Sequence, residues 1–421
     1  MTEAKNDFTL IKASRVIDGL GGSAIERGAV LVEGDQISKV APEEEIVVPE
    51  GASVEEIVYE NKTVLPGLID CHVHMIGIGD GRVGDELTKL PDEVLTLQAA
   101  KNARIHLYSG VTTVRDCGAK NNTTFMLRQA VEMGITPSPR LLLTGRPISI
   151  IGGHLSYFGI EATGEVECRA AVRQLIKEGA DFIKVTATGG STRTSFPFRP
   201  SFTLQELIAI SDEAHKFGKH TAAHCVSTQA IINALDAGID TVIHGAYKEP
   251  DGSYLYRPEV TERLAEQGVF VNLTMHQARE HQWELEKKKQ DDGLTMEEQR
   301  DLDIVSAGVE SSMEHGARLR SGGVKLVSGS DAAWARYKMG GFQDEIQAHV
   351  EIGMTPMEAI VSATSDSARS CWAEDRIGSL EVGKLADLLV VDGDPSVEIN
   401  DLKNVVDVFQ NGAKVDRSDY V

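Results

Sequence analysis

The chain opens with short alternations of apolar and polar residues broken by Gly, Asp and Pro: FTLIKASRVIDG, then GAVLVEGDQISKV, then SVEEIVYE. Side chains two apart share a face of a strand, so this texture predicts β-hairpins. The C-terminal stretch repeats it in IGSLEVGKLADLLVVDGDP and VVDVFQNGAKV. Two β-rich ends of one style predict that residues 1–62 and 371–421 join in one small sheet domain. Between them, residues 63–370 follow a different pattern. Short apolar runs at 64–70, 112–116, 140–145, 182–186, 221–225, 241–244, 269–274 and 325–330 alternate with amphipathic stretches such as 94–109, 166–179, 204–217, 229–237 and 305–321. Short apolar runs separated by helix-period segments predict a parallel sheet. Eight such units over this length match a (β/α)8 TIM barrel, whose active sites lie at the C-terminal ends of the strands. A doubly wound open sheet is the rival, but it usually carries a Gly-rich phosphate turn after its first strand. Here that place holds Cys71-His72-Val73-His74. The charged run EKKKQDDGLTMEEQRD at 286–301 reads as a solvated helix face or a loop.

Composition narrows the classes of function. The 421 residues carry 42 Lys and Arg against 64 Asp and Glu, a formal charge of −22 that repels phosphate backbones and anionic lipid. Five Cys, an odd number without tight spacing, suit reduced thiols. The opening MTEAKNDFTLIKASRV lacks the apolar core of a secretory leader, and no apolar run reaches bilayer-spanning length. The expectation is a soluble cytoplasmic protein that acts on a small molecule, without nucleic-acid or membrane partners. A homo-oligomer stays open.

The candidate chemistry gathers at the ends of the predicted strands. His72 and His74, two apart at the end of the first run, project to the same side, and neutral imidazoles bind Zn²⁺ well. Lys184 lies inside the short apolar run of DFIKVTATGG. A buried ammonium is costly, so Lys184 must pair with an acid, lose its proton or be altered chemically. A lysine of lowered pKa can take up CO₂ as a carbamate, an oxygen ligand able to bridge two metals; a structural ion pair is the ordinary alternative. His224 ends the fifth run, His244 the sixth, and Asp331 follows the eighth in LVSGSD. Singly, each has an ordinary account: a hydrogen-bonded core His, or an Asp capping a helix. Jointly, six ligand-type residues at the ends of strands one, four, five, six and eight point to a metal centre. His154, in the loop after the third strand, is a candidate for substrate contact, whereas His106, His215, His220, His276 and His281 receive no role.

These residues sit in motifs that resemble the amidohydrolase superfamily: LPGLIDCHVHM at 65–75, GVTTVRDCG at 110–118, FIKV around Lys184, the pair His224 and His244, GSDA around Asp331, and the closing segment at 377–395. The resemblance spans nearly the whole chain and looks closest to imidazolonepropionase-like enzymes and metal-dependent Xaa-Pro and Lys/Arg dipeptidases. It implies a barrel with a β-sandwich from both termini and two divalent metal ions, usually zinc. His72, His74 and Asp331 would bind the buried ion and His224 and His244 the exposed one, with N6-carboxylysine at Lys184 bridging them. It also implies hydrolysis of a C–N bond, with Asp331 moving the proton to the leaving amine.

One departure bears on the substrate. The dipeptidases tend to carry an aromatic or His two residues after the fifth-strand His, where this chain has Val226. Arg193 and Arg199, in TGGSTRTSFPFRP, are the alternative grips for a carboxylate. Loops 148–157, 188–200 and 275–293 are long enough to roof the metals and exclude polymers. A dipeptide or N-acyl amino acid is therefore expected first, with an aryl amide or carbamate, or a cyclic amide, as alternatives. A mononuclear deaminase would not need Lys184 and usually adds an H-x-x-E glutamate, missing between His220 and His224. A non-catalytic relative would usually have lost metal ligands, and all six are present.

Overall fold

The structure, a computed structural model, describes residues 7–82 and 84–419. The first six residues, part of the stretch read above for a leader, lie outside the described residues.

Both chain ends do enter one sheet. Strands Phe8–Val16, Gly28–Glu33, Gln36–Pro42 and Val54–Pro66 join Leu388–Asp392, Val405–Gln410 and Ala413–Lys414 in a mixed eight-stranded sheet, with Ile25–Glu26 at the side. The two ends meet where Val54–Pro66 pairs antiparallel with Leu388–Asp392, from Leu388 opposite Pro66 to Asp392 opposite Lys62. Alternation then decides what each face covers. Leu388 and Val390 pack with Ile11, Val30 and Val64 inside the sheet's own core. Leu389 and Val391, pointing the other way, pack with Leu65, Leu107 and Val111 of the central body.

In the central body each predicted apolar run contributes a parallel strand: Leu68–Val73, Val111–Asp116, Arg140–Leu143, Ile183–Thr186, Thr221–Ser227, Thr241–Lys248, Phe270–Asn272 and Lys325–Leu326. The first three form one sheet and the other five a second, which Ile148–Ser149 and Ile160–Glu161 extend. Backbone hydrogen bonds cross both seams. Asp181 N donates to Leu143 O at 2.7 Å on one side; on the other, Cys71 N donates to Ser328 O at 3.1 Å and Asp331 N to His72 O at 2.7 Å. Parallel strands joined at both seams are consistent with a TIM-barrel-type fold.

Strand ends shift by one to a few residues from the sequence reading, and two differences matter for the architecture. The run at 64–70 is shared by two strands, because Val64–Pro66 finishes the terminal sheet and the central body begins only at Leu68. Gly67 makes the junction: a Cβ there would come within 2.2 Å of the Thr112 side chain. The charged run 286–301 spans the end of helix His276–Asp291, a turn at Gly293 and the start of helix Met296–Ser321. That second helix opens with a Thr295/Glu298 capping box. No helix among the described residues is long and apolar enough to cross a membrane.

Candidate metal centre

A cavity of about 400 Å³ opens at the C-terminal ends of the parallel strands, and His72, His74, His154, Lys184, His224, His244 and Asp331 all line it. The strands deliver these side chains by register. His224 sits beside Ile243 and Thr186 in the pairing, and Lys184 beside Ala222. His244 and Asp331 sit at φ +66° and +55°, a left-handed conformation uncommon for such residues and frequent at functional sites.

The nitrogens and oxygens of His72, His74 and Asp331 that could bind an ion lie within 4.8 Å of one another. His72 Nε2 and His74 Nε2 are each 3.5 Å from Asp331 Oδ1. His72 Nε2 and Asp331 Oδ1 are buried without a hydrogen-bond partner. Two orphaned acceptors converging on one point are costly unless a cation sits between them, so the donor set fits a divalent metal.

Every imidazole is held by its other nitrogen, a common feature of metal-binding histidines. His74 Nδ1 donates to Gly118 O at 2.8 Å, and His72 Nδ1 is 3.2 Å from Asn272 Oδ1. His244 Nδ1 meets Thr274 Oγ1 at 2.8 Å, while His224 turns Nε2 to Gly189 O at 3.0 Å. His154 rests on Thr192 Oγ1 at 3.1 Å, its ring centroid 4.5 Å from that of His224. Burial pushes His72, His154, His224 and His244 well below the ordinary histidine range and His74 down to about 3. Neutral imidazole, the metal-binding form, is thereby favoured.

Lys184 is fully buried and enters no ion pair among the described residues, and burial lowers its pKa. Asp331 is pushed up to about 7, by burial first, with Lys184 and a hydrogen bond from Gln277 acting against it. Gln277 Nε2 donates to Asp331 Oδ2 at 2.8 Å, which leaves Oδ1 facing the histidines.

Several of these contributors escaped the sequence reading. Gln277 and Trp334 line the cavity, and the Trp334 ring lies 5.0 Å from that of His74. Trp334 follows Asp331 so closely that proximity alone could have flagged it. His106, assigned no role, is a buried brace: Gly340 N donates to its Nδ1 at 3.2 Å, so its Nε2 donates to Asp70 Oδ2 at 3.0 Å. Asp70 in turn accepts from His72 N at 3.1 Å and Ser330 N at 2.9 Å, tying the first strand to the loop that carries Asp331. Arg193 and Arg199 are exposed and do not line the cavity, whereas Arg82, from the loop after the first strand, does. Loop 188–200 still contributes Gly190, Ser191 and Pro197 to the wall, with Leu155 and Val226 also lining it.

Comparison with known proteins bears on the family and the fold. A profile of the amidohydrolase family matches residues 63–415. The chain is 27% identical to the ochratoxinase of Aspergillus niger over 448 aligned positions, covering 97% of this chain and 86% of that protein. It is 23% identical to the imidazolonepropionase of Paracoccus denitrificans, covering 88% of this chain and 89% of that one. A solved Xaa-Pro dipeptidase with methionine bound in its active site superposes with a TM-score of 0.82 at 29% identity, covering 97% of this chain and all of that one.

Proposed function

Because the chain belongs to the amidohydrolase family and is a hydrolase acting on C–N bonds, we propose that it cleaves the amide of a small dipeptide or N-acyl amino acid at the cavity above. The observation that carries this reading is the pair of orphaned atoms, His72 Nε2 and Asp331 Oδ1, at the wall of a cavity sized for a small molecule. In this reading the parallel strands from Leu68 onward close into a (β/α)8 barrel, and the terminal sheet, which runs to Pro66 and resumes at Leu388, is part of a β-sandwich domain.

His72, His74 and Asp331 would hold one divalent ion and His224 and His244 a second, with Lys184, as N6-carboxylysine, a further ligand. Its neutral amine adds to CO₂ and loses one proton, and the burial that lowers its pKa favours that amine. When bound, the ions, zinc in this reading, supply Lewis acidity toward the scissile carbonyl and make water more acidic. Asp331 holds one carboxylate oxygen on Gln277 and uses the other, Oδ1, to carry a proton to the leaving nitrogen. His154, braced by Thr192, donates to the carbonyl oxygen of the substrate. Arg82 grips the carboxylate; Arg193 and Arg199 take that role only if loop 188–200 turns inward on binding.

A second reading, an aryl amide or carbamate, has its own observation: Leu155, Pro197, Val226 and Trp334 give the cavity apolar and aromatic walls. The zinc-loaded protein, assayed on N-acyl amino acids, dipeptides and their methyl amides, separates the two. The first reading expects kcat/KM to fall when the carboxylate is capped. Equal values for capped and free substrates would transfer the assignment to the neutral amides.

A further inference from the structure

We propose that Asn272 is a positioning residue that locks His72 in the tautomer with its proton on Nδ1, and that Gly329 is glycine to make room for it. The inference rests on the metal-binding reading of His72. Asn272 ends the seventh parallel strand, Phe270–Asn272, and is fully buried. Its Nδ2 donates to Gly329 O at 2.9 Å and Val327 O at 3.3 Å. Carbonyl oxygens only accept, so the amide cannot be flipped without setting its own oxygen against two others. Oδ1 is therefore the atom 3.2 Å from His72 Nδ1, and an amide oxygen can only accept. His72 must carry its proton on Nδ1, which leaves the lone pair on Nε2. That is the orphaned atom facing Asp331.

Gly329 supplies an independent observation. Its φ is not positive, so turn geometry does not call for glycine there. A Cβ at 329 would instead lie 2.8 Å from Asn272 Nδ2, 2.9 Å from Oδ1 and 3.0 Å from Cγ. The glycine of the GSD motif thus permits the amide that orients the histidine. Thr274, which holds His244, imposes no such choice, because a hydroxyl both donates and accepts.

The test uses zinc affinity, measured by competition with a chromophoric chelator, on full-length protein whose fold is checked by circular dichroism. Asn272→Ala should weaken one of the bound zinc ions by roughly ten- to a hundredfold, the usual effect of losing such a partner. Gly329→Ala should do the same alone, but add little to Asn272→Ala, because the alanine methyl then meets no amide. Nitrogen-15 NMR of histidine-labelled, zinc-loaded wild type reads the tautomer without any variant, and should report His72 protonated at Nδ1. A folded Asn272→Ala with wild-type zinc affinity overturns the inference while leaving the metal reading intact, whereas a His72 proton on Nε2 overturns the inference and removes His72 from the ligand set as well. A wild type that takes up no zinc overturns both.

Discussion

The parallel strands of the central body bury an arginine and a lysine in different regions, and the two are kept on opposite terms. Arg115, on the second parallel strand, donates to Cys71 O at 2.7 Å, Ser370 O at 3.1 Å and Thr241 Oγ1 at 3.4 Å, with its guanidinium carbon 5.6 Å from the Phe182 ring centre. Lys184, at the mouth, faces a cavity lined by five imidazoles and Asp331, with no ion pair among the described residues. Guanidinium keeps its charge and spreads it over fixed acceptors and an aromatic face, which suits a permanent structural tie. An ammonium buried without a partner sheds its proton more readily and becomes a nucleophile toward CO₂. In the proposed reading, the same interior uses the cation that cannot titrate where it needs a brace, and the one that can where it needs chemistry.

Exchanging the two behaviours by mutation tests the contrast. The largest effect is expected at the mouth. Lys184→Met should abolish nearly all hydrolysis and most zinc uptake while leaving the metal-free melting temperature unchanged or raised, since a costly buried amine is removed. Short carboxylic acids should restore part of the activity; a variant that still binds both ions and turns over would break the comparison at its first term. Next comes Asp331→Asn, for which kcat should fall by roughly a hundred- to ten-thousandfold, the range of general acid–base catalysis. A near wild-type kcat would move the proton-transfer role elsewhere, with His154 the next candidate.

Arg115→Met should show the opposite profile. Loss of the charge-assisted bonds strands buried acceptors and should cost roughly 2–4 kcal/mol in chemical denaturation, while the folded fraction keeps its kcat and zinc content. Loss of zinc in a folded Arg115→Met would mean that the brace also serves the metal. The smallest effect is expected at Arg82, half-exposed and already 2.9 Å from Asp80. Arg82→Ala should raise KM for carboxylate-bearing substrates by roughly tenfold, about one exposed charge-assisted contact, without changing kcat. An unchanged KM would favour the neutral-amide reading.

The eight-unit central body was legible because hydrophobic period is a local property. A strand buried on both faces needs a short apolar run, and metal-ligand residue types toward its C-terminal end stand out against that run, as His72, His224, His244 and Asp331 do. The two β-rich ends were equally legible as strands, but their register was not. The pairing of Val54–Pro66 with Leu388–Asp392 joins residues more than three hundred positions apart, and only packing against the central body chooses it. That pairing also moved the boundary past residue 62, since Val64 and Leu65 suit either sheet by composition alone.

By itself, then, the sequence determined the order of the parallel strands and the chemical kind of residue at each mouth position, because both follow from spacing along one strand. Tertiary structure decided the rest of the site. It sets which oxygen of Asp331 Gln277 holds, which nitrogen of His72 Asn272 leaves bare, and that Arg82 rather than Arg193 or Arg199 reaches the cavity wall. Those choices depend on the course of loops and on contacts between distant segments, where no periodicity of the chain constrains the side chains and only the closing of hydrogen bonds in a dry interior does.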